Sequence, residues 1–110
     1  MQVNMEEKGG ISIVRVKGDI DINTSPDVKR SFEPLIKDKK AKVVVDLKEV
    51  DYVDSSGLAT LVEILKKLRA YGGKLKLAAL SNKVRGLFEI TKLNKLFDIS
   101  EDAAKAVDSF

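Results

Sequence analysis

The segment Val50-Asp51-Tyr52-Val53-Asp54-Ser55-Ser56-Gly57-Leu58 joins an apolar run to a long amphipathic stretch, and it decides the fold. Residues 41–47 contain a continuous β-branched run of three valines bounded by charged residues, which is typical of a strand covered on both faces. After the segment, apolar residues recur with the spacing of a helix that has one buried face, at Leu58, Leu61, Val62, Leu65 and Leu68. The order strand, polar loop, helix predicts a βα unit with the two serines at the helix start.

Two interpretations of these serines are open from the sequence alone. A serine at a helix start commonly caps the helix, because its side-chain oxygen accepts a hydrogen bond from a free backbone N–H group. A helix N-terminus also offers unpaired N–H groups and a partial positive charge, so a hydroxyl there is well placed to carry a phosphoryl group. Position alone leaves both interpretations open for Ser55 and Ser56.

The first part of the chain predicts a hairpin and a helix. Residues 3–6 and 11–16 read as two strands joined by a turn at Gly9-Gly10. Pro26 marks a helix start with Thr24 or Ser25 as its cap, and Pro34 predicts a kink or an early end to that helix. The residues expected to be buried by this helix are Val28, Phe32, Leu35 and Ile36.

The remainder alternates between strand and helix patterns. The long helix should run to about Tyr71 and stop at Gly72-Gly73, with Glu63 and Lys67 paired on its outer face. Residues 74–79 and 97–99 predict two further strands, and residues 100–102 open a final helix. Between the two strands we expect a helix that Ser81 caps and that buries Val84, Leu87, Phe88 and Ile90.

These elements predict an α/β fold: an N-terminal β-hairpin followed by βα repeats, forming a mixed, mostly parallel sheet with about four helices. At 110 residues, we expect a single domain over residues 1–110 with the run at 41–47 as the central strand. Loops that leave the carboxyl ends of parallel strands line the functional edge of such a sheet. The polar loops at residues 19–25 and 46–56 should therefore lie together.

Composition narrows the classes of function. The chain has no cysteine and no histidine, which removes thiolate nucleophiles, the commonest general base and the commonest metal ligands. The net charge of +3 is spread over scattered lysines without interleaved aromatic residues, so we expect no nucleic acid as a partner. No apolar run is long enough to span a membrane and no signal-peptide pattern opens the chain, so we expect a cytoplasmic protein without a membrane partner.

Enzymatic alternatives rest mainly on the acidic residues. An acidic pocket could bind Mg²⁺ through carboxylate oxygens, its candidate members being Asp19, Asp21, Asp46, Asp51 and Asp54. A phosphoaspartate receiver domain would use Asp46, but no acidic pair follows the first strand and no Met-Pro turn follows Asp46. A hydrolase using Asp19 and Asp21 is disfavoured by the short chain, and serine hydrolysis by the lack of a histidine. We therefore expect a protein that is not an enzyme and has no cofactor.

Three ordered motifs resemble the STAS domain of bacterial anti-sigma-factor antagonists. The sequence Asp54-Ser55-Ser56-Gly57-Leu58, after the run at 43–47, resembles the central motif of that family. Gly18-Asp19-Ile20-Asp21 resembles its Gly-x-Leu-Asp loop, and residues 91–97 are similar to its segment before the last strand. The likeness covers nearly the whole chain, although Ala59-Thr60 stands where many members have Gly first.

The resemblance implies a phosphorylation-controlled partner switch that regulates transcription. In that family the serine in the position of Ser55 is phosphorylated by an anti-sigma factor that is also a serine kinase of the GHKL type. The unphosphorylated domain binds this kinase and releases the sigma factor, and a serine phosphatase restores the binding form. The partner-binding residues that the resemblance implies are Asp21, Asn23, Thr24, Asp54, Ser55, Ser56 and Gly57.

A second function remains open beside the switch. The chain would then be a non-phosphorylated STAS interaction module in a transporter-associated or sensory assembly, binding a nucleotide or a lipid. With Ser55 as the phosphoacceptor that the resemblance implies, and Ser56 as the less favoured position, we expect Ser56 to be the cap of the helix. Phosphate on Ser55 should lie near Asp54 and close to Asp21 or Asp46. We also expect Gly57 to keep the surface low and Leu58 to belong to the core.

Overall fold

A computed structural model describes residues 1–110 as one five-stranded sheet with four α-helices. The strands are β1 (Gln2–Lys8), β2 (Ile11–Lys17), β3 (Lys42–Glu49), β4 (Lys74–Ala78) and β5 (Asp98–Ser100). The helices are α1 (Ser25–Lys37), α2 (Ser55–Arg69), α3 (Asn82–Ile90) and α4 (Ala103–Asp108), with a 3₁₀ turn at Leu93–Lys95. The predicted α/β class and the predicted elements are therefore present, with bounds shifted by one to three residues.

The strand order is β1-β2-β3-β4-β5, so β3 is the central strand as predicted. Only β1 and β2 pair in the antiparallel direction, as a hairpin closed at Gly9 and Gly10, and the other pairs are parallel. Both glycines have positive φ angles, of 58° and 81°, which side-chain-bearing residues adopt at a cost. The mixed, mostly parallel sheet is confirmed.

Helices cover the two faces of the sheet unequally. Alternate residues of β3, Val43, Val45 and Leu47, face a core of 22 buried residues that includes the apolar faces of α1, α2 and α3. Val44 faces the other side, where α4 covers a smaller cluster through Ala106. The carboxyl ends of β2 and β3 lead directly into α1 and α2 through short loops. This arrangement brings the two polar loops to one edge of the sheet.

Two predictions about the helices are wrong, the early end of α1 at Pro34 and the burial of Ile90. Helix α1 continues through Pro34 to Lys37, because Phe32 and Leu35 are buried against the core while Pro34 itself is exposed. Ile36 and Leu87, both expected to be buried, are partly buried and pack against the core. Ile90, at the last position of α3, is 82% exposed, because the helix ends there and the chain turns away.

Other local predictions are confirmed. The Ser81 hydroxyl accepts from the Val84 N–H at 3.2 Å and caps α3. Glu63 pairs with Lys67 at 3.6 Å and also with Lys29 of α1 at 3.0 Å. The Lys29 ion pair and hydrogen bond hold the pKa of Glu63 below its ordinary value. These contacts join α1 to α2 on the outer surface.

Candidate functional site

The loops that leave β2 and β3 are held together by backbone hydrogen bonds. The Ile20 N–H donates to the Tyr52 carbonyl at 2.9 Å, and the Asp54 N–H donates to the Ile20 carbonyl at 3.1 Å. Ile20 and Val53 form a parallel bridge there, and both side chains are buried. The two loops therefore act as one rigid surface at the carboxyl edge of the sheet, as the predicted topology requires.

Gly57 allows this close approach. A Cβ atom at position 57 would lie 2.5 Å from the Ile20 carbonyl oxygen and 2.7 Å from Cγ1 of Val53. Both distances are well inside van der Waals contact. Gly57 is buried, so it contributes by letting α2 pack beneath the loop from β2, rather than by lowering an exposed surface as we had expected.

Asp54 caps α2, and the prediction that Ser56 caps this helix is wrong. Oδ1 of Asp54 accepts from the Gly57 N–H at 2.9 Å, and Oδ2 accepts from the Ile22 N–H at 3.2 Å. Asp54 has the extended backbone of an N-cap residue, because its N–H is tied to Ile20. One carboxylate thus caps the helix and fixes the loop that carries Ile22.

The two serines consequently occupy the first two helical positions with free hydroxyl groups. Neither side chain takes part in a hydrogen bond with another protein group, because the carboxylate of Asp54 already caps the helix. Ser55 is exposed, whereas Ser56 is partly buried. At these positions the backbone N–H groups have no preceding helical carbonyl to bind. Ser55 therefore presents an accessible hydroxyl at the positive end of α2.

The loop before α1 is ordered by its own polar side chains. Oδ1 of Asp21 accepts from the N–H groups of Asn23 at 2.9 Å and Thr24 at 3.1 Å. The Thr24 hydroxyl accepts from the Asp21 N–H at 2.9 Å and donates to the Asp19 carbonyl at 2.7 Å. Thr24 occupies the N-cap position of α1 but makes no side-chain cap, and Ser25 lies inside the helix. The prediction of Thr24 as the cap is therefore confirmed in position, although its hydroxyl binds within the loop and not to a free N–H group of the helix.

The sequence interpretation missed an apolar surface around Ser55. Ile22 is 70% exposed and lies beside Asp54, which binds its N–H group. Tyr52 and Ile90 are also exposed, and both line a groove of about 650 Å³ between the β3–α2 loop and α3. Ser55, Lys83 and Leu87 line the same groove. Exposed isoleucine and tyrosine side chains clustered at one edge are typical of a protein-binding surface.

The predicted acidic pocket does not form. Asp46 lies within β3, on the sheet face that carries Arg15, and its carboxylate is 3.6 Å from the Nε atom of Arg15. It lines a polar surface with Gln2 and Lys48, separate from the groove that contains Ser55. No three acidic side chains are grouped closely enough to hold a metal ion. Asp54 lines the groove with Ser55, whereas Asp46 lines the other surface.

Leu58 belongs to the main core, as expected from its place in the helical pattern. None of the helices combines the length and the apolar character that a bilayer-spanning segment needs.

Comparison with known protein families identifies the class to which this fold belongs. A family model described as the STAS domain matches residues 2–106. The chain therefore belongs to the STAS domain family, and the resemblance found in its motifs is confirmed.

Within this family, the chain is similar to several proteins named as anti-sigma factor antagonists. The chain is 35% identical over 102 residues to the anti-sigma-B factor antagonist of Bacillus subtilis, covering 91% of this chain and 93% of that protein. It is 34% identical over 88 residues to the anti-sigma-B factor antagonist of Staphylococcus aureus, covering 80% and 82%. A crystal structure of an anti-sigma factor antagonist from Mycobacterium paratuberculosis is 27% identical, with a TM-score of 0.90 over 98% of this chain and 92% of that one. These names denote regulatory proteins, in agreement with the prediction that the chain is not an enzyme.

Proposed function

We propose that this chain is an anti-sigma-factor antagonist whose binding to its partner is switched off by phosphorylation of Ser55. In the unphosphorylated form it binds an anti-sigma factor that is also a serine kinase of the GHKL type, and so releases the sigma factor. A serine phosphatase returns the phosphorylated chain to the binding form. The names of the relatives in Bacillus subtilis and Staphylococcus aureus support the antagonist role.

The observation that carries the proposal is the free hydroxyl of Ser55 within an exposed apolar surface. Asp54 caps α2, so Ser55 has no structural hydrogen bond to lose when it is modified. Ile22, Tyr52 and Ile90 are exposed near this serine and supply the contact area that a protein partner needs. A kinase that docks on this surface would have the Ser55 hydroxyl inside its interface.

Phosphorylation then changes the interface more than the fold. A phosphoryl group adds about −1.5 to −2 charges and three acceptor oxygens at neutral pH. The free N–H groups at the start of α2 accommodate that charge within the isolated chain. In a complex the same charge would lie beside Asp54 and lose its water, which costs about 2–5 kcal/mol when no partner cation is provided. We expect Kd for the kinase to rise by at least about 30-fold.

The remaining proposed contact residues divide by exposure. Asn23 is exposed, Asp21 and Thr24 are partly buried in the same loop, and Ser56 is partly buried in the first turn of α2. Asp54 and Gly57 act by holding the site in shape. Asp54 caps α2, and Gly57 permits the two loops to approach each other. We therefore expect alanine at Asn23 to weaken binding directly, whereas changes at Gly57 would act through the position of the loop.

The test is incubation of the full chain with the GHKL-type kinase of the same genome and ATP, followed by peptide mass spectrometry. We expect one phosphate, on Ser55, and expect Ser56→Ala to leave its incorporation unchanged. Ser55→Ala is the matched variant that should accept none. Phosphate that appears only on Ser56, or on neither serine, would overturn the proposal.

The groove supports a second candidate, the non-phosphorylated STAS module that binds a nucleotide or a lipid. Its volume of about 650 Å³ and its apolar lining are within the range of small-molecule sites. A thermal-shift titration with ATP, GTP and a short-chain phospholipid separates the two functions. A saturable rise in Tm that Ile90→Glu removes, together with no phosphate on Ser55, would favour this second function.

A further inference from the structure

Lys83 is a cation whose position the fold alone does not explain. It is the second residue of α3, and it lies in a first turn that contains no acidic residue. A positive charge there is unfavourable, because the N-terminus of a helix already carries partial positive charge. The Nζ atom lies 5.6 Å from the centre of the Tyr52 ring, and no carboxylate forms an ion pair with it.

Lys83 and Ser55 line the same groove. Ser55 opens α2 and Lys83 lies at the start of α3, so the N-termini of both helices border this groove. Tyr52, on which the ammonium group rests, is three residues before Ser55. The groove therefore combines two helix N-termini with an unpaired lysine, and Ser55 is part of its lining.

Two carboxylates share the groove with Lys83 and could compete for it. Both oxygens of Asp54 already accept backbone hydrogen bonds, from Gly57 and Ile22. Asp51 is exposed, and its carboxylate does not approach the Lys83 ammonium group within ion-pair distance. Lys83 is thus available to a new anion that forms within its reach.

We propose that Lys83 is the internal counter-ion of phosphorylated Ser55. When Ser55 carries a phosphoryl group, the Lys83 ammonium leaves the Tyr52 ring and pairs with the phosphoryl oxygens across the groove. A charge-assisted hydrogen bond to a dianion is stronger than a cation–π contact at an exposed site, so the exchange is favourable. This inference rests on the proposed function in taking Ser55 as the phosphoacceptor.

The pairing would extend the effect of phosphorylation beyond one side chain. In the unmodified chain Lys83 and Tyr52 are both exposed to a partner at the groove. In the phosphorylated chain the lysine bridges the groove and leaves less of its apolar lining open. Lys83 is then a positioning residue that distinguishes the two states of the switch.

The experiment places phosphoserine at position 55 during translation, so that no kinase is needed. The second pKa of the phosphate is measured by ³¹P NMR in the otherwise unchanged chain, in Lys83→Gln and in Lys37→Gln. The control Lys37 is exposed in the last turn of α1, a helix of 13 residues that begins at the site and extends about 20 Å away from it. Both variants remove one positive charge, so they differ only in position.

We expect Lys83→Gln to raise the phosphate pKa by roughly half a unit, because the neighbouring cation favours the dianion. Lys37→Gln should change it by less than about 0.1 unit at physiological salt, and Lys83→Arg should restore the original value. Equal pKa values in Lys83→Gln and Lys37→Gln would overturn the inference. Since phosphoserine is introduced without the kinase, failure of the kinase to modify Ser55 would refute the proposed function separately.

Discussion

Replacing Gly57 by alanine tests whether the two loops of the site approach as closely as their hydrogen bonds indicate. The added Cβ would lie 2.5 Å from the Ile20 carbonyl oxygen, 2.7 Å from Cγ1 of Val53 and 2.9 Å from Cγ2 of Ile20. Normal contacts between such atoms are about 3.5–4.0 Å, so the loop from β2 must move by about 1 Å. The carbonyl is backbone and cannot rotate away as a side chain could.

The magnitude follows from two opposing effects. Overpacking of a buried contact typically costs about 1–3 kcal/mol, and three contacts below 3 Å place this change near the upper end. Alanine is favoured over glycine inside a helix by about 1 kcal/mol, which offsets part of the cost. We therefore expect a net loss of about 1–2 kcal/mol, or about 4–8 °C in Tm for a domain of this size.

Gly86 provides the matched control. It lies inside α3, and a Cβ built there has no heavy atom within 4 Å. Gly86→Ala should therefore stabilise the chain by up to about 1 kcal/mol through helix propensity alone. Urea unfolding followed by circular dichroism measures both variants. If Gly57→Ala is as stable as Gly86→Ala, the close packing of α2 beneath Ile20 is refuted.

Three further predictions concern stability. Asp54→Ala should lower the free energy of unfolding in urea by about 1–2 kcal/mol, because it removes the cap of α2. Ser56→Ala should lower it by less than about 0.5 kcal/mol, and a larger loss at Ser56 would indicate that this serine is the cap. Lys39 follows the end of α1 and has a φ angle of 53°, a left-handed conformation that favours glycine. Lys39→Gly should therefore raise the free energy of unfolding by about 0.5–1 kcal/mol, and an unchanged value would argue against a left-handed backbone at this position. Burial raises the pKa of Tyr71, whose hydroxyl donates to the Lys40 carbonyl at 2.8 Å. This hydrogen bond should contribute about 1 kcal/mol to the free energy of unfolding below about pH 10, and the contribution should be lost as the pH rises through the raised pKa of Tyr71. The stability difference between the wild-type chain and Tyr71→Phe, measured from pH 8 to 11.5, should shrink with pH; a constant difference would contradict that assignment.

The sequence predicted those elements whose signals are local. The run at residues 41–47 and the apolar spacing after Leu58 identified β3 and α2, because burial on both faces and on one face leave different patterns. Ser81 was identified as a cap because serine is a preferred N-cap residue and it stands three residues before Val84, where the apolar spacing of α3 begins. The parallel order of strands then placed both polar loops at one edge.

The cap of α2 could not be assigned in the same way. Asp54, Ser55 and Ser56 are consecutive and all can cap a helix, so local preference does not choose among them. The choice is made by the bridge between Ile20 and Val53, which holds Asp54 in an extended conformation. That bridge joins residues more than thirty positions apart, and no local pattern reports it.

The exposed apolar surface was missed for a related reason. Helical spacing treats Ile90 as a core residue, although α3 ends there and nothing covers its side chain. Ile22 and Tyr52 lie in loops, where periodicity gives no prediction of burial. Pro34 shows the opposite case, since buried neighbours kept α1 helical where local propensity predicted a break.

The most direct test of the switch is calorimetric titration of the GHKL-type serine kinase with the chain in two forms, one with serine and one with translationally introduced phosphoserine at position 55. Phosphoserine at position 56 serves as the control for added charge near the same helix start. The account predicts that phosphate at position 55 raises Kd by at least about 30-fold while the far-ultraviolet spectrum and Tm stay nearly unchanged. Equal affinity of the kinase for the serine and phosphoserine forms at position 55 would contradict it.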